Sequence, residues 1–296
     1  MRRVPIVTPA AIAVCLLLQP IDTAVEAQNG RNAAPVSFRP ARITDGPVID
    51  GDLGDAAWQT ATISEPFLTY NPTRGEILPQ RTEVWVAYDD DSIYFAFRCH
   101  DTEADQIRAN VSARDGIFND DWVGLSIDAL GTRQTSYDLF VNPLGIQGDI
   151  LTSAVGGEDP AQDFVWESAG LLNGEGYTVE MRVPLRSLRF RSGREVAFGI
   201  LFWRRISRLG TSGSWPEIDP GRSIFDVHAR MEFEELKNPL VLELLPSYTY
   251  GGSQVLNDFN RWDRDASDDL GVGLKYGLTS SVTADVTWNP DFSQVE

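Results

Sequence analysis

From Ala41 onward, apolar and polar residues alternate in short runs, and clusters of Asp, Asn, Gly and Pro separate one run from the next. In residues 82–88 the alternation puts Val84, Val86 and Tyr88 on one side. Asp89-Asp90-Asp91-Ser92 then turns the chain directly into residues 93–99, so a hairpin is predicted. Val123, Leu125 and Ile127 mark a third strand and residues 137–141 a fourth. Further strands are predicted at 146–151, 164–171, 177–183 and 196–206. Helical spacing is confined to a single turn around Gly54–Trp58. Many short strands at this interval predict an all-β chain, with an antiparallel β-sandwich over residues 41–236.

The pattern changes after Lys237-Asn238-Pro239. Leu240, Leu242, Leu244, Tyr248 and Tyr250 share one side, as do Leu270, Val272, Leu274 and Tyr276. Val282, Ala284, Val286 and Trp288 alternate with Thr283, Asp285, Thr287 and Asn289. One apolar face opposed by glycine, threonine and charge is the dyad of an outer-membrane strand, although a half-buried hairpin in water shows the same alternation. Export, argued below, favours the first strands of a transmembrane β-barrel over residues 237–296. The smallest such barrels close with about eight strands, and an open sheet edge cannot lie in lipid. A barrel therefore needs more chain than follows here, and the sequence is expected to be a fragment or a truncated product.

The start of the chain carries a different message. Arg2 and Arg3 precede an apolar run over residues 10–18, and Val25-Glu26-Ala27 offers small residues at a cleavage position before Gln28. This is the order of a secretory signal peptide, and the run is too short to span a membrane as a helix. Pro5, Pro9 and Pro20 disfavour a buried helix, and Val14 before Cys15 disfavours a lipoprotein. Residues 28–40 are polar and proline-bearing and read as a flexible leader. Removal of 1–27 leaves Cys99 as the single cysteine, so no intramolecular disulfide can form. Cys99 shares its face with Ile93, Phe95 and Phe97 and is expected in the core. The net charge of −18 excludes nucleic acid as a partner and leaves carboxylates free for a hard cation such as calcium.

The run Ile49-Asp50-Gly51-Asp52-Leu53-Gly54-Asp55-Ala56-Ala57-Trp58 resembles the opening motif of family 9 carbohydrate-binding modules. Matching landmarks follow in order: Val86-Ala87-Tyr88-Asp89-Asp90 with Ile93-Tyr94-Phe95, then Asn119-Asp120-Asp121-Trp122 leading to Asp128. Tyr137 to Asn142, and Glu180 to Leu188 with Pro184, complete them. The remainder resembles a subfamily in which this module precedes an outer-membrane barrel. Phe140-Val141-Asn142-Pro143, Phe202-Trp203-Arg204-Arg205 with Trp215, and the run from Trp288 to Glu296 carry that likeness. The resemblance implies a non-catalytic domain that captures glycans at a bacterial envelope during carbohydrate catabolism, at the outer membrane or in the periplasm. An envelope glycoside hydrolase acting on O-glycosyl bonds, or a structural plug for the barrel, are the competing readings.

Sugar recognition needs flat apolar rings for stacking and amides, carboxylates or arginine for the hydroxyls. Of eight tryptophans, Trp58 and Trp85 are assigned to packing, whereas the setting of Trp122 fits packing or binding alike. Trp215 stands in a Gly/Ser/Pro segment, 210–220, that reads as a loop suited to binding. The family clamp implies Phe118 and Trp215 as the aromatic pair, with Asp121 and Asn142 as hydroxyl partners. Asp50-Gly51-Asp52 fails as an EF-hand and reads as a turn before a short helix capped by Asp52. Calcium stays a possibility implied by the family, without named ligands. No catalytic motif stands out, and with 43 acidic residues any carboxylate spacing will be matched by chance. His100 and His228 are the two histidines, and His100 beside Asp101 reads as a surface residue. Mass spectrometry of protein recovered from the cell envelope should find Gln28 as the first residue; an intact Met1, or lipid on Cys15, would contradict the signal peptide.

Overall fold

The computed structural model describes residues 36–296 except 60–62, 64, 220, 238–241, 257–261, 280–281 and 290–296. The signal peptide, most of the leader and the final motif after Asn289 lie outside the described residues. In chain order the strands begin with β1 (Ser37–Phe38), β2 (Ala41–Arg42), β3 (Leu68–Asn71), β4 (Thr82–Tyr88) and β5 (Ser92–His100). Then come β6 (Trp122–Asp128), β7 (Thr135–Val141), β8 (Gln147–Ser153), β9 (Gly157–Asp159), β10 (Glu167–Asn173) and β11 (Gly176–Pro184). After these follow β12 (Gly193–Ile206), β13 (Thr211–Trp215) and β14 (Ala229–Leu236). The last three are β15 (Leu242–Leu256), β16 (Trp262–Thr279) and β17 (Val282–Trp288). Helix among the described residues is limited to one-turn 3₁₀ segments such as Ala56–Trp58.

Two sheets make the sandwich. The larger runs β1-β14-β12-β6-β7-β8-β9, and the smaller runs β10-β11-β5-β4-β2. β12 is long enough to serve two neighbours on one side: its first half pairs with β14, and Phe202 to Ile206 pair with β13, which in turn pairs with β3. Period-two alternation decides what fills the gap. Val84, Val86 and Tyr88 from β4 and Ile93, Phe95, Phe97 and Cys99 from β5 meet Val123, Leu125 and Ile127 of β6 and Phe198, Ile200 and Phe202 of β12. Cys99 is a buried free thiol there, as its parity predicts. Phe95 and Phe97 touch Phe202 edge-on across the gap, at 6.2 and 5.8 Å between ring centroids.

The outer face of the smaller sheet is also covered. Leu53, Ala57 and Trp58 pack on Trp85, Ala87, Tyr94 and Ala96, the residues of β4 and β5 that point away from the core. Glu180 of β11 fastens this cover. Its carboxylate accepts hydrogen bonds from Gly51 N (2.7 Å), Asp50 N (3.0 Å) and Trp58 Nε1 (2.7 Å). Thr178 Oγ1 adds a bond to Gly51 O at 2.6 Å. Gly51 has φ +90°, and a Cβ there would press on the backbone of Gly170, so the motif needs glycine. The cap of the short helix differs from the expected one. Asp55, not Asp52, stands at the cap position, and its carboxylate accepts from Val48 N instead of capping. The sandwich also begins earlier than residue 41, because Ser37–Phe38 pair in parallel with β14.

The last three strands form a separate antiparallel sheet in the order β15-β16-β17. Their register sets Leu244 beside Leu274, Leu274 beside Val286, and Tyr248 beside Leu270, so the apolar residues share one face.

Removing the Glu180 carboxylate strands three donors under packed side chains, each costing about 1–3 kcal/mol when unmet. Urea unfolding should find Glu180→Ala destabilised by roughly 3 kcal/mol or more, with Glu180→Gln less affected. An alanine variant as stable as the parent would show that the cover holds without this carboxylate.

Candidate functional site

The outer face of the larger sheet is the counterpart of the face closed by Trp58, and it carries an aromatic cluster of its own. Trp122 of β6, Phe140 of β7 and Trp203 of β12 all have outward parity and cluster with Ile117, Leu201 and Val227. Gly124 sits opposite both Phe140 and Trp203 in the register, and a Cβ there would collide with the Phe140 ring. Glycine therefore lets that ring lie across the strand. Phe118, on the loop before β6, completes a trio of edge-on contacts, with centroids 6.3 Å from Trp122 and 5.5 Å from Phe140. Trp122 and Phe140 stand 5.0 Å apart. Phe118 is 39% exposed, against 8% for Trp122 and 9% for Phe140, so Phe118 is the ring offered to solvent.

Beside the trio the face becomes polar. Trp203 Nε1 donates to Ser126 Oγ at 2.9 Å, and Tyr70 meets the Trp203 ring edge-on at 5.2 Å. Asp138 lies next in the sheet, buried, accepting from Ser136 Oγ (2.8 Å) and from Thr152 Oγ1. Burial pushes its carboxyl up to about 6, and the hydroxyls of Ser126, Thr152 and Ser136 restrain the rise. Among the described residues Trp122 Nε1 is buried without a hydrogen-bond partner. An exposed ring beside two further aromatic rings, bordered by hydroxyls and a carboxylate, suits a ligand that is apolar on its faces and polar on its edges.

The four residues expected from sequence do not converge. Phe118 is on this face and accessible. Asn142 is fully buried at the end of β7, and its amide is saturated. Its Oδ1 accepts from Leu144 N and Ile146 N, while Nδ2 donates to Asn110 O and Asp120 Oδ2. Asp121 points into the gap between the sheets, where its Oδ1 accepts from Ser207 N at 2.9 Å. Burial raises its pKa, against the lowering effect of its backbone hydrogen bonds and of Arg204. Trp215 requires a correction. Its segment is strand β13 instead of a loop, and the ring is 6% exposed in the inter-sheet core, stacked on Phe202 at 5.9 Å and edge-on to Phe38. Gly, Ser and Thr in 210–214 read as loop by composition, but pairing to β12 on one side and β3 on the other makes them a strand. Tyr70, Phe140, Trp203 and Asp138 went unassigned; the shared parity of Trp122, Phe140 and Trp203 within their strands was the available sign.

Calcium finds no fitting cage among the described residues. Asp50 Oδ1 accepts from Asp52 N and so closes its own turn. The carboxylates of Asp115, Asp149 and Asp163 come within 4.8 Å of one another. Arg114 already occupies Asp149 through Nε and Nη2, each at 2.6 Å, so a guanidinium stands where the ion would sit. His100 pairs with Glu83 at 2.8 Å, not with Asp101, which holds Arg208 at 2.6 Å. His228 is buried, with both ring nitrogens unpartnered among the described residues, and burial lowers its pKa to about 4.

A two-sheet antiparallel sandwich with an aromatic outer face defines the class. The family described as carbohydrate family 9 binding domain-like matches residues 49–205, more than half of the chain, and the chain belongs to that family. Among solved structures, a Bacteroides uniformis protein whose carbohydrate-binding role is itself an assignment is similar over 68% of this chain and 100% of its own, with 14% identity and a TM-score of 0.55. A family 9 carbohydrate-binding module from Caldicellulosiruptor kristjanssonii, in complex with glucose, covers 69% of this chain and 96% of its own at 16% identity and a TM-score of 0.45. Its complex with cellotriose matches over 68% and 95%, also at 16% identity, with a TM-score of 0.44. No curated protein matches the chain.

A carboxyl raised from the ordinary aspartate value of 3.8 to about 6 binds its proton more tightly in the folded state, so between those pH values the folded form gains stability as pH falls. Replacing Asp138 by Asn keeps a neutral, hydrogen-bonding side chain. The variant should be more stable than the parent at pH 7.5, by up to about 3 kcal/mol, with the difference fading towards pH 4. Melting curves across pH read this directly, and a difference that did not depend on pH would refute it.

Proposed function

We propose that this chain is the carbohydrate-binding domain of an outer-membrane protein and captures glycans at the bacterial envelope for carbohydrate catabolism. The observation that carries the sugar reading is the outer face of the larger sheet: the exposed Phe118 ring edge-on to Trp122 and Phe140, on a face that also carries the hydroxyls of Ser136 and Thr152 and the carboxylate of Asp138. A pyranose offers C–H faces to such a ring and hydroxyls to such polar neighbours. Membership of the carbohydrate family 9 binding-domain-like family supports the same reading.

The membrane part rests on the β15–β17 sheet. Leu242, Leu244, Tyr248, Tyr250, Leu270, Leu274, Val286 and Trp288 lie on one face and are all exposed. The opposite face carries Glu243, Ser247, Thr249, Gly271, Gly273, Lys275, Asp285 and Thr287, with Leu245 as its apolar exception. A contiguous apolar face of this kind is unfavourable in water and suits hydrocarbon, with the polar side towards a lumen.

Titration with glucose, cellotriose and a wider glycan array tests the sugar reading, and the absence of any binding glycan would end it. Stacking is worth ~1–2 kcal/mol, so Phe118→Ala should weaken binding roughly tenfold while leaving the melting temperature almost unchanged. Trp215→Ala should behave in the opposite way, losing about 3–5 kcal/mol of folding stability as a truncated core aromatic. Unchanged affinity in Phe118→Ala would move the site off this face.

A further inference from the structure

Arg182, Arg186, Arg189, Arg191 and Arg194 fall in one short stretch that no acidic residue interrupts, in a chain whose net charge is −18. The intervening apolar residues explain how the stretch is held. Leu185, Leu188 and Phe190 are buried in the inter-sheet core, with Phe190 against Phe198 at 5.5 Å. Their burial turns Arg186, Arg189 and Arg191 outward, and all three are exposed. Arg182 pairs with Glu167, whereas among the described residues no ion pair engages Arg186, Arg189 or Arg191. Position adds the second observation. Gly193 pairs with Leu236 at the end of β14, and Arg186 and Ser187 share a cleft of about 780 Å³ with Leu242 and Glu243 at the start of β15. Asp91, Asp163, Glu167 and Glu243 outnumber Arg182 and Arg186 in the lining of that cleft, while Arg189 and Arg191 stand outside it. Arg186 thus stands beside the start of β15, and Arg191 lies two residues before the Gly193–Leu236 pair at the end of β14.

We infer that Arg186, Arg189 and Arg191 form a docking strip for the phosphates of anionic lipid headgroups, at the surface of the membrane that the β15–β17 sheet enters. The inference rests on the membrane reading above. A strongly acidic domain is repelled by an anionic bilayer, and unpaired cations at its membrane-proximal end reverse that locally. Guanidinium groups suit the task because they pair with phosphate through two parallel hydrogen bonds.

Flotation of the full chain with vesicles tests it, using phosphatidylcholine alone and phosphatidylcholine mixed with phosphatidylglycerol. Each arginine near an anionic surface contributes roughly fivefold to partition, so the parent should prefer the anionic vesicles by about 100-fold at low salt. High salt should erase the preference. The triple variant Arg186→Gln, Arg189→Gln, Arg191→Gln should lose it while keeping its partition to neutral vesicles and its melting temperature. Should the triple variant fold poorly, single Arg189→Gln should still lower the preference roughly fivefold. A parent without preference, or a triple variant that keeps it, overturns the inference and leaves the membrane reading intact. Failure to float with either vesicle overturns both. Loss of binding to soluble polygalacturonate in the triple variant, with vesicle preference retained, would assign the strip to acidic glycans and overturn it as well.

Discussion

Arg204 rises from β12 into the gap between the two sheets, and its guanidinium is fully buried there. Nη1 donates to Arg81 O at 2.8 Å and Thr82 Oγ1 at 2.9 Å, and Nη2 to His100 O at 2.8 Å, so one side chain of the larger sheet grips the ends of β4 and β5 in the smaller. The cation also lies over the Tyr177 ring, 5.7 Å from its centroid. A buried charge is tolerable only when paired or well hydrogen-bonded. Apolar packing is non-directional and permits the sheets to slide. A cation that must find particular carbonyls does not, so Arg204 sets the register in which Phe95 and Phe97 meet Phe202.

With the sheets fixed, the two outer faces take different roles. The smaller sheet has its outer face sealed by residues 49–58, which Glu180 and Thr178 draw down by their backbone amides and carbonyl. The motif that most clearly carries the family resemblance is thus a structural seal, and its Gly51 answers a steric need at Gly170. The larger sheet has its outer face only partly covered, by Ile218, Ile224 and Val227 from the segment before β14. Aromatic rings remain at its margin, where Phe118 reaches solvent. Asp120 and Asn142 hold the turns on either side of that margin through their mutual hydrogen bond. Their chemistry supports the site from behind and does not enter it.

Charge is distributed with the same economy. Acidic residues dominate the surface, yet the stretch from Arg186 to Arg194 is free of them and is pinned by Leu185, Leu188 and Phe190. One alternation therefore does two things: it buries three apolar side chains in the inter-sheet core and leaves the arginines between them exposed, with Arg186 beside the start of β15.

Period-two alternation, read along the chain, determined the strands from β4 to β8, the hairpin between β4 and β5, the burial of Cys99 and the separate character of the last three strands. Each of these is a local property, since a strand with one apolar face has only one way to bury it. Composition misled at Thr211–Trp215, where glycine and serine made a strand look like a loop. Only pairing with β12 and β3 decided it, and that pairing moved Trp215 from a rim to the core. The fate of Asn142 and Asp121 was likewise tertiary. A polar side chain in a motif serves a ligand or the fold according to which backbone groups lie within hydrogen-bonding distance, and those groups come from Asn110, Ile146 and Ser207, distant or unmarked in sequence. Phe118 was legible only as what the family resemblance implies. The platform beneath it was not, because it joins side chains from β6, β7 and β12 that meet only when the sheet forms.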